Sequence, residues 1–226
     1  MTPTRRPDDT RRMSDAHAGA TSVPDEVAGA IAAGRASADV VHRYLLEAYR
    51  VSAWTTAELP MLIANAPDGY SFTMDDSTHY RAWSDRFAAI AGYAGRSNSV
   101  QETLAWCRQL GVDDDEVRRY TPLPETIAMT CTLLFYVRRS YEEGVAVLAH
   151  RDAPVVGVPA NARDGLARHY GVTVEAAAPP APELDAPALL ASVATTAAAQ
   201  ERCRLAVRNV LATVECRRRA MNRWLA

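Results

Sequence analysis

Helical periodicity recurs along the chain from Pro24 onward and constrains the fold more than any other feature. In the segment 37–67, apolar residues recur three and four positions apart, as at Val41, Leu45 and Val51. No segment alternates β-branched and polar residues, and the one short extended stretch, 151–162, contains two prolines. The sequence therefore predicts an all-α bundle of about seven helices, over 22–34, 37–67, 75–95, 99–111, 125–152, 159–171 and 192–226.

The segment before this bundle has a different composition. Residues 1–22 are polar, rich in Thr, Asp and Arg, and are predicted to be a disordered tail, so that 23–226 forms a single helical domain. The tail has no apolar core typical of a secretory signal, and no apolar run is long enough to span a bilayer. We therefore expect a cytoplasmic protein without membrane association.

Charge and residue usage exclude several classes of function. The net charge is −2, and all 25 basic residues are arginine, so no lysine can form a Schiff base or bind phosphate in a Walker motif. The basic cluster 217–223 lacks interleaved aromatic residues and is predicted to be a solvated helix end, not a nucleic-acid site. Four scattered cysteines show no zinc-binding spacing, and no glycine-rich phosphate loop precedes a helix.

Several stretches, taken in order, suggest a family. The segments HRYLLEAYRVSAW (42–54), HYRAWSDRFAAIAG (79–92), LARHYGV (166–172) and ATTAAAQERCRLAVRNVL (194–211) resemble successive helices of the heme-oxygenase-like bundle. The likeness is to its branch of thiaminase II (TenA) and pyrroloquinoline-quinone synthase. This resemblance implies a heme-oxygenase-like fold and a homodimer, whereas function depends on the site.

The resemblance also bears on metal binding. In metal-dependent members of the superfamily, His-x3-Asp-x2-His after the Tyr-Gly turn supplies half of a di-iron site. If Asp185 is that aspartate, Ala181 and Ala188 occupy the histidine positions. Four prolines in 175–188 also resist a regular helix, so we expect this segment to be irregular and to bind no metal.

The resemblance and the residue types together single out three candidate catalytic residues. His150 lies where the family has a nucleophile or a metal ligand, and imidazole suits proton transfer near neutral pH. Glu47 lies within an apolar helix near aromatic residues, and His79 follows two aspartates. Simpler interpretations remain: a surface histidine at a helix end for His150, a surface ion pair with Arg43 or Arg50 for Glu47, and an N-capping cluster around His79.

Other residues are candidates for substrate binding. Tyr136, Arg139 and Glu143 share one arc with His150 if 125–152 is a single helix, which makes them either a polar pocket wall or an ordinary solvated face. Tyr44 and Trp54 would supply aromatic contacts near Glu47. The aspartate required for thiamin hydrolysis in the family would fall at Ala48, so that reaction is not expected.

Three classes of function remain. The first is a cofactor-independent enzyme of bacterial specialised metabolism that uses acid/base chemistry on a small aromatic substrate for ring closure, hydrolysis or oxidation. The second is a non-heme iron oxygenase of the same fold. Its iron would take ligands from Asp75 or Asp76, His79, Glu143, His150 and Asp185. The third is a non-catalytic descendant that binds a ligand or a partner protein.

Overall fold

The computed structural model describes residues 23–55, 58, 61–62, 65, 99–149, 158–174, 190 and 194–226. The predicted all-α class is confirmed, because these residues contain α-helices and no strand. The helices are α1 Glu26–Ala32, α2 Ala38–Thr55, α3 Ser99–Gln109, α4 Asp114–Arg119, α5 Pro124–Arg139, α6 Tyr141–Ala149, α7 Ala160–Tyr170 and α8 Ala197–Asn222, followed by a 3₁₀ turn, Arg223–Leu225. Within this part of the chain, no helix combines the length and the apolar character that crossing a bilayer requires.

Local sequence signals set several helix boundaries. Asp25, Asp113 and Thr196 precede α1, α4 and α8, and each side chain accepts a hydrogen bond from a backbone N–H in the first turn. This is the usual N-cap arrangement, which satisfies donors that have no partner within the helix. Gly171 ends α7 with a left-handed φ of 69°. Glycine takes this conformation without the steric cost that a side chain would add.

The long helix α8 organises one half of the core. It packs against α5 and α6, and it runs antiparallel to α5, because Arg217 contacts Thr126 while Asn209 contacts Tyr136. Apolar side chains of α5, α6 and α8 form a first core cluster that includes Leu133. A second cluster joins α1, α3 and α7 to the first turns of α2. The helix α2 contributes to both clusters and connects the two halves.

The single helix expected over 125–152 is wrong. Two helices, α5 and α6, occupy most of this range, and Ser140 between them is extended, with φ −155° and ψ 155°. The Ser140 hydroxyl accepts a hydrogen bond from the Glu143 N–H at 3.2 Å, so this serine caps the start of α6. The sequence Ser-x-x-Glu is the usual capping-box pattern, and it was the available signal for a helix start at this point.

Several sequence predictions fall outside the described residues. These are the tail over 1–22, the helix over 75–95, the irregular segment 175–188 and most of the extended stretch 151–162. The candidate residues His79 and His150 also lie there, as do the possible iron ligands Asp75, Asp76 and Asp185. All of these remain predictions from the sequence.

Candidate functional site

Glu47 on α2 is fully buried, with 0% of its surface exposed. Its Oε1 accepts hydrogen bonds from the Tyr120 hydroxyl and the Leu123 N–H, both at 2.7 Å. The Thr126 hydroxyl donates to the other oxygen, Oε2. Both oxygens of the carboxylate are therefore bonded, as a buried charged group requires.

A buried arginine completes this group. Arg217 on α8 is 6% exposed, and its Nε donates to the Thr126 hydroxyl oxygen at 3.1 Å. Thr126 therefore bridges a guanidinium and a carboxylate by accepting from one and donating to the other. The expected solvated basic helix end is consequently wrong for Arg217. This residue occupies the next helical position after Val210 and Val214, which belong to the buried stripe of α8.

Neither surface partner considered for Glu47 pairs with it. Arg43 instead pairs with Asp39 at 3.2 Å on the surface of α2. The Nη2 of Arg50 donates to three backbone carbonyls at the end of α4, those of Val117, Arg118 and Tyr120. These bonds satisfy acceptors that the last turn of a helix leaves open. Glu47 thus belongs to a buried network that ties α2 to α5 and α8.

The aromatic candidates on α2 have different environments. Tyr44 is 3% exposed, and its hydroxyl donates to Asp25 at 3.2 Å. Burial, and secondarily the charge of Asp25, raise the pKa of Tyr44 well above its ordinary value. Trp54 is only partly buried near the end of α2. Tyr44 is therefore held against the N-cap of α1, where it contributes to packing.

Glu143 in the first turn of α6 has an unusual environment. Its side chain is 1% exposed, yet neither carboxylate oxygen accepts a hydrogen bond within the part of the chain that the structure describes. Buried carboxylates normally have donors, because desolvation of the charge is otherwise uncompensated. Two guanidinium groups compensate in part: Arg139 Nε lies 3.4 Å from Oε2, and Arg202 Nε lies 3.8 Å from Oε1.

The position of these arginines locates Glu143 close to the surface. The side chains of Arg139 and Arg202 are 46% and 45% exposed, so solvent reaches both guanidinium groups within 4 Å of a buried carboxylate. Both distances exceed the 2.7–2.9 Å range typical of a tight charge-assisted bond. The two guanidinium groups therefore lie beside the carboxylate without forming such a bond to it.

A thiol and a phenol lie on the helices around Glu143. Burial, and secondarily the charge of Glu143, raise the pKa of Cys203 on α8 to about 11. Tyr136 on α5 is 5% exposed, and its hydroxyl oxygen accepts a bond of 2.6 Å from the Asn209 amide. No acceptor for the hydroxyl hydrogen of Tyr136 occurs among the described residues. Among the described residues, the Glu143 carboxylate thus lacks a donor and the Tyr136 hydroxyl hydrogen lacks an acceptor.

The structure divides the candidate site residues into two groups. Glu47 connects to α8 through Arg217, whereas Glu143 contacts Arg202. These two arginines are 15 positions apart on one helix, which corresponds to about 22 Å at 1.5 Å per residue. Arg139 contacts Glu143, whereas Tyr136 contacts Asn209 and Tyr44 contacts Asp25. The solvated face considered for Tyr136 and Glu143 is wrong, because both are buried.

Sequence reasoning missed the residues of α8 that complete the second group. Arg202 and Asn209 are seven positions apart on α8 and therefore lie on one side of it. Cys203, next to Arg202, is buried on the same helix. The seven-residue spacing of Arg202 and Asn209 indicates from the sequence that they share one side of α8. Their partners on α5 and α6 follow only from the packing of the folded chain. Within the described residues, no group of three His, Cys, Asp or Glu side chains could hold a metal ion.

Comparison with known proteins adds no further constraint. No protein-family model and no curated protein sequence matches this chain. Membership of the heme-oxygenase-like superfamily therefore stays a prediction, and inference about function depends on the geometry of the described residues.

Proposed function

We propose that this protein is a cofactor-independent enzyme that transfers a proton on a small aromatic molecule, with Glu143 as the general base. The observation that carries the proposal is the Glu143 carboxylate, which is 1% exposed and accepts no hydrogen bond from any described residue. A carboxylate without donors keeps its lone pairs available for a substrate proton. A carboxylate such as Glu47, with both oxygens already bonded, does not.

The neighbouring side chains supply further roles in this proposal. Arg139 and Arg202 flank the carboxylate until a substrate displaces one of them. The Tyr136 hydroxyl, oriented by the Asn209 amide, donates its hydrogen to the substrate atom on which negative charge develops. Proton transfer between such groups needs no cofactor.

This proposal changes the roles expected from the sequence. Glu143 replaces Glu47 as the catalytic carboxylate, because the three donors around Glu47 favour a structural role. His150 follows the last residue of α6, the helix that begins near Glu143, and we retain it as a second proton-transfer group on sequence grounds. We also propose, from the resemblance alone, a cytoplasmic homodimeric enzyme of bacterial specialised metabolism with a heme-oxygenase-like fold.

A generic substrate tests the proposed base without knowledge of the natural one. 5-Nitrobenzisoxazole loses its ring C–H proton to a base while its N–O bond breaks, which gives a nitrile and a coloured phenolate. We expect the protein to accelerate this elimination and Glu143→Gln to lose at least about 10²-fold in rate, the usual contribution of a general base. Glu142→Gln is the matched control, because it changes the adjacent carboxylate on the same turn and should keep the rate.

The outcomes separate the possible bases. Equal rates for the wild type and Glu143→Gln would contradict the role of Glu143. Loss of the rate in His150→Ala but not in Glu143→Gln would instead identify the histidine as the base. Circular dichroism of each variant shows whether its helices remain folded.

A further inference from the structure

Two arginines share one buried carboxylate at the start of α6. Arg139 Nε and Arg202 Nε lie 3.4 Å and 3.8 Å from the two oxygens of Glu143. Glu142, which precedes Glu143, forms no ion pair with either guanidinium within the part of the chain that the structure describes. With Glu143 ionised, as a general base must be, these three groups carry one excess positive charge, because arginine stays protonated in proteins.

Both guanidinium groups have donors that no described residue uses. An arginine side chain carries five N–H donors in a planar arrangement. Neither Arg139 nor Arg202 donates a hydrogen bond to another described residue, and their contacts with Glu143 are ion pairs without a hydrogen bond. The two side chains are 46% and 45% exposed, so solvent reaches these donors. A planar oxyanion from solution can therefore bind them without breaking a hydrogen bond among the described residues.

The two arginines differ in how firmly they are held. The Arg139 guanidinium lies 5.8 Å from the centroid of the Phe135 ring and pairs with Glu143 four positions later in the chain. The cation–π contact and this short-range ion pair both restrain Arg139. Arg202, on α8, has the longer ion-pair distance and lies over no aromatic ring of the described residues. Arg202 is therefore the arginine that is freer to bind a ligand.

We propose that the substrate carries a carboxylate and that Arg202 binds it, an inference that rests on the proposed role of Glu143 as the base. The planar fork of a guanidinium matches the two oxygens of a carboxylate, so the pair can form two parallel hydrogen bonds. One substrate carboxylate balances the excess positive charge, whereas a phosphate ester, with a charge of about −1.5 to −2, would exceed it. Arg202 is thus the residue that selects acidic substrates.

Glu143 and the substrate carboxylate compete for the same two cations. Their like charges repel each other at short range, so Glu143 weakens the binding of the carboxylate. Replacement of Glu143 by the neutral glutamine should therefore tighten carboxylate binding, although the same change removes the base. A site that selects neutral substrates would show no such gain in affinity.

Binding of benzoate, with benzamide as its uncharged analogue, tests the role of Arg202 without any turnover. In an NMR titration of the full chain at low ionic strength, benzoate should bind more tightly than benzamide. Arg202→Gln should weaken benzoate binding about three- to tenfold, since a half-exposed ion pair contributes less than a buried one, and should leave benzamide binding unchanged. Arg204→Gln is the matched control and should bind benzoate like the wild type, because Arg204 lies on the same helix, is 52% exposed and pairs with Glu201.

Two further variants complete the test, with circular dichroism to show that each is folded. Glu143→Gln should bind benzoate about threefold more tightly than the wild type or better. Arg202→Lys keeps the charge but not the planar fork, so its affinity should lie between those of the wild type and Arg202→Gln. Equal affinity for benzoate and benzamide, benzoate binding that does not depend on Arg202, or tighter binding of phenyl phosphate than of benzoate would overturn the proposal. An elimination rate that does not depend on Glu143 would instead refute the base, so the two failures are distinguishable.

Discussion

Replacement of Glu47 by alanine should destabilise the fold strongly. The change leaves the Tyr120 hydroxyl, the Leu123 N–H and the Thr126 hydroxyl without their acceptor. It also removes the negative charge that Thr126 links to the buried Arg217. The destabilisation therefore arises from unsatisfied polar groups in the core and from an uncompensated cation.

The expected magnitude follows from the number of bonds. Each bond to a charged acceptor contributes about 1.5–3 kcal/mol, but three such losses do not add fully because water enters the space left. Removal of one partner of a buried charge pair generally costs about 3–5 kcal/mol, and we expect this range for Glu47→Ala. At about 2–4 °C per kcal/mol for a chain of this size, the Tm should fall by about 6–20 °C.

Glu47→Gln gives an intermediate expectation. The amide keeps an oxygen that can accept from Tyr120 and Leu123, and its NH₂ group can donate to the Thr126 oxygen. We expect a loss of about 1–3 kcal/mol, mainly from the missing charge. Urea unfolding followed by circular dichroism at 222 nm measures each free energy of unfolding.

Glu201→Ala is the control, because Glu201 is 66% exposed and pairs with Arg204 at the surface. It should change the free energy of unfolding by less than about 0.5 kcal/mol. The reasoning would be refuted if Glu47→Ala were as stable as this control. If Glu47→Ala kept its stability but lost proton-transfer activity, Glu47 would have the catalytic role that the sequence suggested.

Three further predictions concern packing, reactivity and capping. Gly165→Ala should lower the free energy of unfolding by about 1–3 kcal/mol, because the new Cβ would lie 2.5 Å from a backbone Cα of α1. Gly29→Ala should instead raise it by about 0.5–1 kcal/mol, because nothing lies within 4 Å of the new Cβ. Urea unfolding measures both changes. Burial raises the pKa of Cys107 to about 12 and that of Cys203 to about 11, so both stay protonated thiols at pH 8. A thiol reagent should therefore label only the exposed Cys131 and Cys216 in the native protein, and all four cysteines after unfolding in guanidinium. Ser140→Ala should lower the unfolding free energy by about 1 kcal/mol, since it removes the cap of α6.

Much of the fold could be predicted because helix periodicity and capping are local properties. Glycine and capping residues marked the ends of α3 and α7, and the apolar stripe of α8 included Val207, Val210 and Val214. The break at Ser140 was missed because the apolar periodicity continues on both sides of it. Only the capping pattern around Ser140 distinguished two helices from one.

The site was harder to predict because partners depend on tertiary packing. The sequence indicated that Glu47 lies among apolar residues, but its donors come from positions 73 to 79 residues later in the chain. Arg217 looked like part of a terminal basic cluster because nothing local shows that Thr126 faces it. Glu143 was identified as a candidate, whereas its lack of hydrogen-bond donors among the described residues is a property of the folded chain alone.

The most direct test of the central claim is a crystal structure of the protein with 5-nitrobenzotriazole, an unreactive molecule of nearly the same shape as the probe substrate. The proposal predicts that its ring N–H donates to a Glu143 carboxylate oxygen at about 2.7–3.2 Å. Arg139 or Arg202 should be displaced from the carboxylate in that complex. A complex in which the ligand binds elsewhere, while Glu143 keeps both arginines and remains closed to it, would contradict the assignment of Glu143 as the catalytic base.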